Sequence, residues 1–327
     1  MTWLTWRQLR AQATVWGGCL AVLAAVLAVT GPRLAGLGDP AGLVARTSAT
    51  EQALYYGGLV LVLVLPALVG MFWGAPLIAR ELETGTHRLV WNQSVSRTRW
   101  LLTRLSLTAL AAMTVAGLGS LAVSWWSGPI DGAAATGGSE GVETFLPRLH
   151  PLVFAARGIV PVGGAAFAFV LGATLGVVFR RTLPAMAATL GLYVGVQLAV
   201  PFWIRPHLAP AERATVQIDA EIHALTLGDD GLSLALDRPG AWITGQETVD
   251  AAGHPVTALP SSVTSCRPPS PPEECLGALT DLHYRQRITY QPAGHFWRLQ
   301  WAETGLYCAL ALALAGLCVW WVRRRPS

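Results

Sequence analysis

The chain reads as an all-α membrane protein: six transmembrane helices behind an N-terminal interfacial helix, with an external α+β domain between the fifth and sixth spans. Composition, run length and charge placement predict this. Of 327 residues, 53% are hydrophobic and only 13% charged, against roughly a quarter charged in soluble domains. The mean hydropathy is +0.45. Six nearly uncharged runs (15–30, 57–79, 105–126, 158–179, 183–203 and 305–322) each approach the ~20 residues that cross ~30 Å of hydrocarbon. None has the polar stripe of a water-soluble core helix.

Charge placement gives the orientation. All 23 basic residues are arginine, without a single lysine, a usage that reads as GC-rich coding and a bacterial source. With the loops numbered alternately from an inside start, the inner set holds twelve arginines against only Glu81 and Glu83. Arginine retention on the inner face puts both termini in the cytoplasm and residues 204–298 outside the cell. The net charge of +4 is thus a topology signal, and no nucleic-acid partner is expected. Tryptophans 3, 6, 125, 126, 203, 297, 301, 320 and 321 fit interfacial belts. A cleaved signal peptide is a competing reading of the N-terminus, but the apolar run is long and no small-x-small site follows it.

In chain order, residues 1–203 make a transmembrane domain. Residues 1–13 set Trp3 and Trp6 against Arg7 and Arg10, a spacing that suits either a helix lying in the membrane surface or a simple flanking anchor. Pro66 and Pro76 predict a kinked second span. The loop 127–157 opens on a Gly- and Ala-rich stretch expected to be mobile. The fourth and fifth spans are separated by little more than Arg180-Arg181-Thr182, and Gly163, Gly164, Gly172 and Gly176 permit close helix approach in the fourth. Residues 204–298 form the external domain: AERATVQIDAEIHAL reads as helical, and LSLALD, AWITGQETV and QRITYQ read as strands. Residues 299–327 supply the last span and a cytoplasmic tail.

The chemistry-bearing residues exclude more than they indicate. Without lysine, no GxxxxGK phosphate loop exists in the chain. The seven histidines have no metal spacing, and no GxSxG or SxxK motif supports a membrane hydrolase. No enzyme activity or cofactor is expected in this chain. Mid-membrane acids of the kind that couple transport to protons are missing. Glu303 lies one turn into the last span; an interfacial acid facing the surface and a gate or substrate contact both remain open. Cys266 and Cys275 share the external domain, where an oxidising compartment favours a disulfide worth ~2–3 kcal/mol. Residues 80–100, RELETGTHRLVWNQSVSRTRW, combine a Thr84-Gly85-Thr86 turn with an apolar patch. They read either as an ordinary charged hairpin or as a short helix presenting a knob to a cytoplasmic partner.

That stretch, with the order of elements around it, resembles the membrane (permease) subunit of a type-two ABC exporter. The resemblance implies that Glu81, Glu83, Thr84, Gly85, Thr86 and Arg88 sit in or beside a coupling helix docked on a cytoplasmic ATPase. Arg7 and Arg10 would then belong to the N-terminal surface helix. It also implies a second permease copy, two ATPase subunits that hold ATP and Mg, and a lipophilic or amphiphilic cargo moved outward. The ~95-residue external insertion departs from compact members of that family. A different class of function stays open from the residues alone: a non-transporting sensor or immunity protein whose external domain binds a ligand or envelope partner.

Overall fold

The computed structural model describes residues 2–35, 47–84, 97–136, 145–217, 224–228, 231–235, 240–256 and 283–324. Among the described residues, six helices are long and apolar enough to cross a membrane: Thr14–Leu34, Ala49–Glu83, Thr98–Ala133, Val160–Phe179, Thr182–Leu208 and Ala293–Arg324. They take up the six apolar runs of the sequence.

The first span belongs to a single helix, α1 (Thr2–Ala35). Residues 2–13, with Trp3, Trp6, Arg7 and Arg10, are its first turns; no glycine or proline interrupts them. The second span opens on a capping box, with Glu51 N–H donating to Ser48 Oγ and Ser48 N–H to Glu51 Oε2. It runs as α2 (Ala49–Val69), a π-helical turn (Gly70–Gly74) and α3 (Ala75–Glu83). Pro66 sits within α2, and the irregularity falls ahead of Pro76. There the Ala75 N–H reaches back five residues to Gly70 O. Pro76 lacks an N–H and its ring crowds the carbonyl four residues back; widening the helix by one residue relieves both. The fifth span repeats the device. After α7 (Thr182–Ala199), a π turn (Val200–Ile204) precedes Pro206, with Arg205 N–H on Val200 O.

The third span, α4 (Arg97–Thr136), is longer than expected: the Gly- and Ala-rich start of the loop is helical through Thr136, and residues 137–144 lie outside the described residues. Ile130 is fully buried, and Asp131 is buried on Arg157, so tertiary contacts override the local glycines and Pro129. A short helix, α5 (Pro151–Ala155), leads into α6 (Val160–Phe179), the fourth span. Arg180 closes α6 in the left-handed conformation, φ 55°.

The fourth span is the hub. It is apolar all round, the pattern of a buried helix, and 78% of its span is covered, against 6% for the first. Its glycines meet the π turn of the second span backbone to backbone: a Cβ on Gly172 would lie 2.2 Å from Gly70 O, and one on Gly74 2.3 Å from Phe169 O. Two apolar clusters result. One surrounds Phe167, Phe169, Trp73 and Tyr307; the other joins Leu27, Tyr55, Trp126 and Phe145 where the first three spans meet residues 145–156.

Between the fifth and sixth spans lie β1 (Glu212–Gln217), β2 (Ala224–Gly228), β3 (Gly231–Ala235), β4 (Trp242–Val249) and β5 (Arg285–Gln291). β5 is central to an antiparallel sheet of order β1-β5-β4, and β2 pairs with β3. The three expected strands correspond to β3, β4 and β5. The described part of the expected helix is strand instead: 212–217 is β1, registered from Glu212 against Tyr290 to Gln217 against Arg285, and residues 218–223 lie outside the described residues. Ala214 and Val216 alternate with Arg213, Thr215 and Gln217, a period-two pattern masked by the alanines and acids around it. Pairing with β5 supplies what local propensity does not. A 3-10 turn (Ala293–His295) then leads into α8 (Phe296–Arg324), which carries the last span.

Candidate functional site

Two polar constellations stand at opposite ends of the bundle. At the arginine-rich end, the last turns of α3 carry Glu81, Glu83 and Thr84. Glu81 pairs with Arg104 of the third span, whose guanidinium lies 5.0 Å from the Trp100 ring centre. The Glu83 carboxylate accepts from Thr182 N–H at 2.9 Å and from Thr182 Oγ1 at 2.6 Å. A carboxylate there satisfies the free first N–H groups of the fifth span and favours its positive dipole end. Thr84 Oγ1 donates to Arg80 O, and Arg323 Nε of the sixth span donates to Thr98 Oγ1 at 3.2 Å. The end of the second span is therefore stapled to the third and the fifth. Gly85, Thr86 and Arg88 lie outside the described residues, as do Cys266 and Cys275.

At the sheet-bearing end, Glu303 is fully buried, not surface-facing. Its two oxygens accept from Arg205 Nε at 2.6 Å and Nη2 at 3.0 Å. Arg205 Nη1 donates to Pro151 O at 3.3 Å, and the guanidinium lies 4.2 Å from the Phe154 ring and 5.9 Å from that of Trp242 on β4. One side chain thus joins the fifth span, the sixth span, α5 and the sheet. Beside it, Tyr307 OH donates to Gln197 Oε1. Gln300 of the sixth span accepts from Ile159 N–H and Val160 N–H and donates to Phe154 O, capping the fourth span from a neighbouring helix. Gly158, at φ +65°, leaves room for it: a Cβ there would lie 2.7 Å from Gln300 Oε1. A second buried ion pair, Arg157 Nε to Asp131 Oδ2 at 3.1 Å, stands on the opposite flank. His150 caps α5 through Nδ1, which accepts from Leu152 N–H; burial, then the nearby Arg205 charge, hold its pKa below the ordinary value.

Arg205 and Gln300 are the residues that sequence reasoning missed. A lone arginine just past one apolar run and a lone acid one turn into the next are complementary charges at matching depth, and that pairing was a readable signal for Arg205. Gln300 had none. Among the described residues, no three His, Cys, Asp or Glu side chains converge as a metal site.

Among the described residues, the arrangement is one of hydrogen bonds and ion pairs between helices. It has rigid ties at both ends of the bundle and, between them, a π turn seated on the fourth span. No curated protein and no solved structure matches the chain. The family described as ABC-2 membrane transporter related matches residues 17–205, more than half of the 327 residues. An apolar six-span bundle without a phosphate loop, tied at its arginine-rich end through Glu81 and Glu83, fits that match, and the chain belongs to the ABC-2 membrane transporter related family.

Proposed function

We propose that this chain is the permease of an ATP-driven exporter, working as a pair with a second permease copy and powered by two separate ATPase subunits. The termini and the arginine-rich end face the cytoplasm, and residues 204–298 lie outside the cell, with Cys266 and Cys275 joined there. ATP and Mg belong to the ATPase. Its docking surface is residues 80–100, with Glu81, Glu83, Thr84, Gly85, Thr86 and Arg88 at or beside the contact.

The observation that carries this reading is the double tie of α3. A push on the segment between Thr84 and Arg97 reaches a nine-residue helix held to the third span by Glu81 and to the fifth by Glu83. That helix begins at the π turn, and π turns inside helices recur at functional sites. Gly70 and Gly74 hold the turn against the fourth span. Nucleotide-driven closure of the ATPases would thus pivot the cytoplasmic ends of three spans as a unit about the hub helix. The spans leave large apolar side chains outward, including Val29, Leu121, Leu198 and Leu312, which suits lipid and an amphiphilic cargo. A mild-detergent pull-down of the full chain should recover an ATPase in equal amount. Recovery of a soluble external partner without ATPase overturns the reading.

A further inference from the structure

The three-stranded sheet has one covered face and one open face. Gln286, Ile288 and Tyr290 of β5 are buried, and Arg285, Arg287 and Thr289 alternate with them on the opposite side. The open face carries a groove of about 660 Å³, lined by Arg213 and Thr215 of β1, Arg287 and Thr289 of β5, and Gly245 and Glu247 of β4. That volume lies within the roughly 300–1,000 Å³ of small-molecule sites. Strand register sets these residues in rows across the sheet: Arg213, Thr289 and Gly245 in one, Thr215, Arg287 and Glu247 in the next.

Charge in the groove is unbalanced. Arg287 Nη1 donates to Glu247 Oε1 at 2.6 Å and Nη2 to Gly253 O at 2.9 Å, which fixes this guanidinium and engages the groove's one acid among the described residues. Arg213 is its diagonal neighbour on the adjoining strand, at roughly 7–8 Å. It is exposed and has no hydrogen-bond or ion-pair partner among the described residues. Two like charges this close repel, and Glu247 offsets only one of them. A guanidinium fork matches the spaced oxygens of a carboxylate or phosphate. The rest of the lining offers threonine hydroxyls and a carboxylate, and among the described lining residues none is aromatic or aliphatic. Such a surface suits hydroxyl groups and gives an acyl chain nothing to pack on. We propose that this sheet face binds a hydroxyl-rich oxyanion of the sugar-acid or sugar-phosphate type, with the oxyanion on Arg213 and the hydroxyls on Thr215, Thr289 and Glu247. The site stands independently of the permease reading.

Isothermal titration of the full chain tests this, in a polyoxyethylene detergent whose headgroup is neither a sugar nor an ion. The probes are glucose 6-phosphate, glucuronate, glucose and inorganic phosphate. One or both sugar anions should bind at least about tenfold tighter than glucose and inorganic phosphate, the scale of one hydrogen bond to a charged group; the tighter one identifies the oxyanion. Equal affinity for all four probes, or no binding of either sugar anion, overturns the proposal without any variant. Arg213→Gln, at an exposed position without a partner, should fold as the parent does and weaken binding about tenfold. Arg298→Gln, at an exposed position on the last helix, should leave binding unchanged. Glu247→Gln frees Arg287 while keeping a hydroxyl acceptor, and should tighten binding severalfold. Equal losses in the Arg213 and Arg298 variants would mean a diffuse charge effect and overturn the site. A loss in Glu247→Gln as large as that in Arg213→Gln would mean a damaged sheet and overturn it too.

Discussion

Gly172→Ala is the sharpest perturbation of the hub. The added Cβ would lie 2.2 Å from Gly70 O and 2.8 Å from Ala75 N, short of ordinary contact by roughly 1 Å. Both obstacles are backbone, so no side chain can rotate away, and the π turn must move off the fourth span. Overpacking of this kind costs about 1–3 kcal/mol, and two backbone clashes place this case near about 3. At about 2 °C per kcal/mol for a chain of this size, the midpoint of thermal unfolding should drop by ~6 °C. Tryptophan fluorescence of the detergent-solubilised chain reads it. Gly191→Ala is the matched control on the fifth span, where nothing lies within 4 Å of an added Cβ. Higher helix propensity should leave it neutral or stabilised by up to about 1 kcal/mol. Gly172→Ala as stable as the parent, or no worse than Gly191→Ala, would refute the backbone-to-backbone seat.

Glu303→Gln leaves the Arg205 charge buried and unpaired and should cost about 3–5 kcal/mol, whereas joint replacement of both by methionine should recover most of it; chemical unfolding of the parent and the two variants distinguishes the cases. Joint neutralisation of Glu81 and Glu83 should uncouple ATP hydrolysis from transport. Exchanging the charges as Glu81→Arg with Arg104→Glu should restore coupling if the pair acts as a tie, and full substrate-stimulated activity in the doubly neutralised variant would reject the docking assignment. Because the folded state holds the His150 pKa below its unfolded value, its contribution is present above the ordinary histidine pKa of about 6.5 and is lost as pH falls below it. Hydrogen-exchange protection across residues 145–158, taken relative to the pH-dependent intrinsic rate, should fall from pH 7.5 to pH 5, and His150→Asn should flatten that change. Alkylation under non-reducing conditions should leave Cys266 and Cys275 unlabelled and label them after reduction; labelling without reductant rejects the disulfide.

The membrane class and the six spans were legible because hydropathy over ~20 residues is a bulk property that tertiary context does not reverse. The close approach of the fourth span was legible only as something Gly172 and Gly176 permit, since small-residue patterns are weakly specific. What escaped depended on partners distant in sequence. β1 forms because β5 pairs with it some 75 residues on. The helix through Pro129 persists because Arg157 holds Asp131. Pro76 was read as a kink, but whether a proline bends a helix or widens it into a π turn depends on what packs there. Of the site, Glu81 and Glu83 were singled out for a partner outside the chain, while the structure gives each a partner within it. The two roles are compatible, since a lever must be fixed to what it moves.

The measurement closest to the central claim is uphill movement of an amphiphile in liposomes containing this chain with and without its ATPase. Accumulation that requires both the ATPase and hydrolysable ATP is the predicted result. Accumulation against a gradient by this chain alone would contradict it.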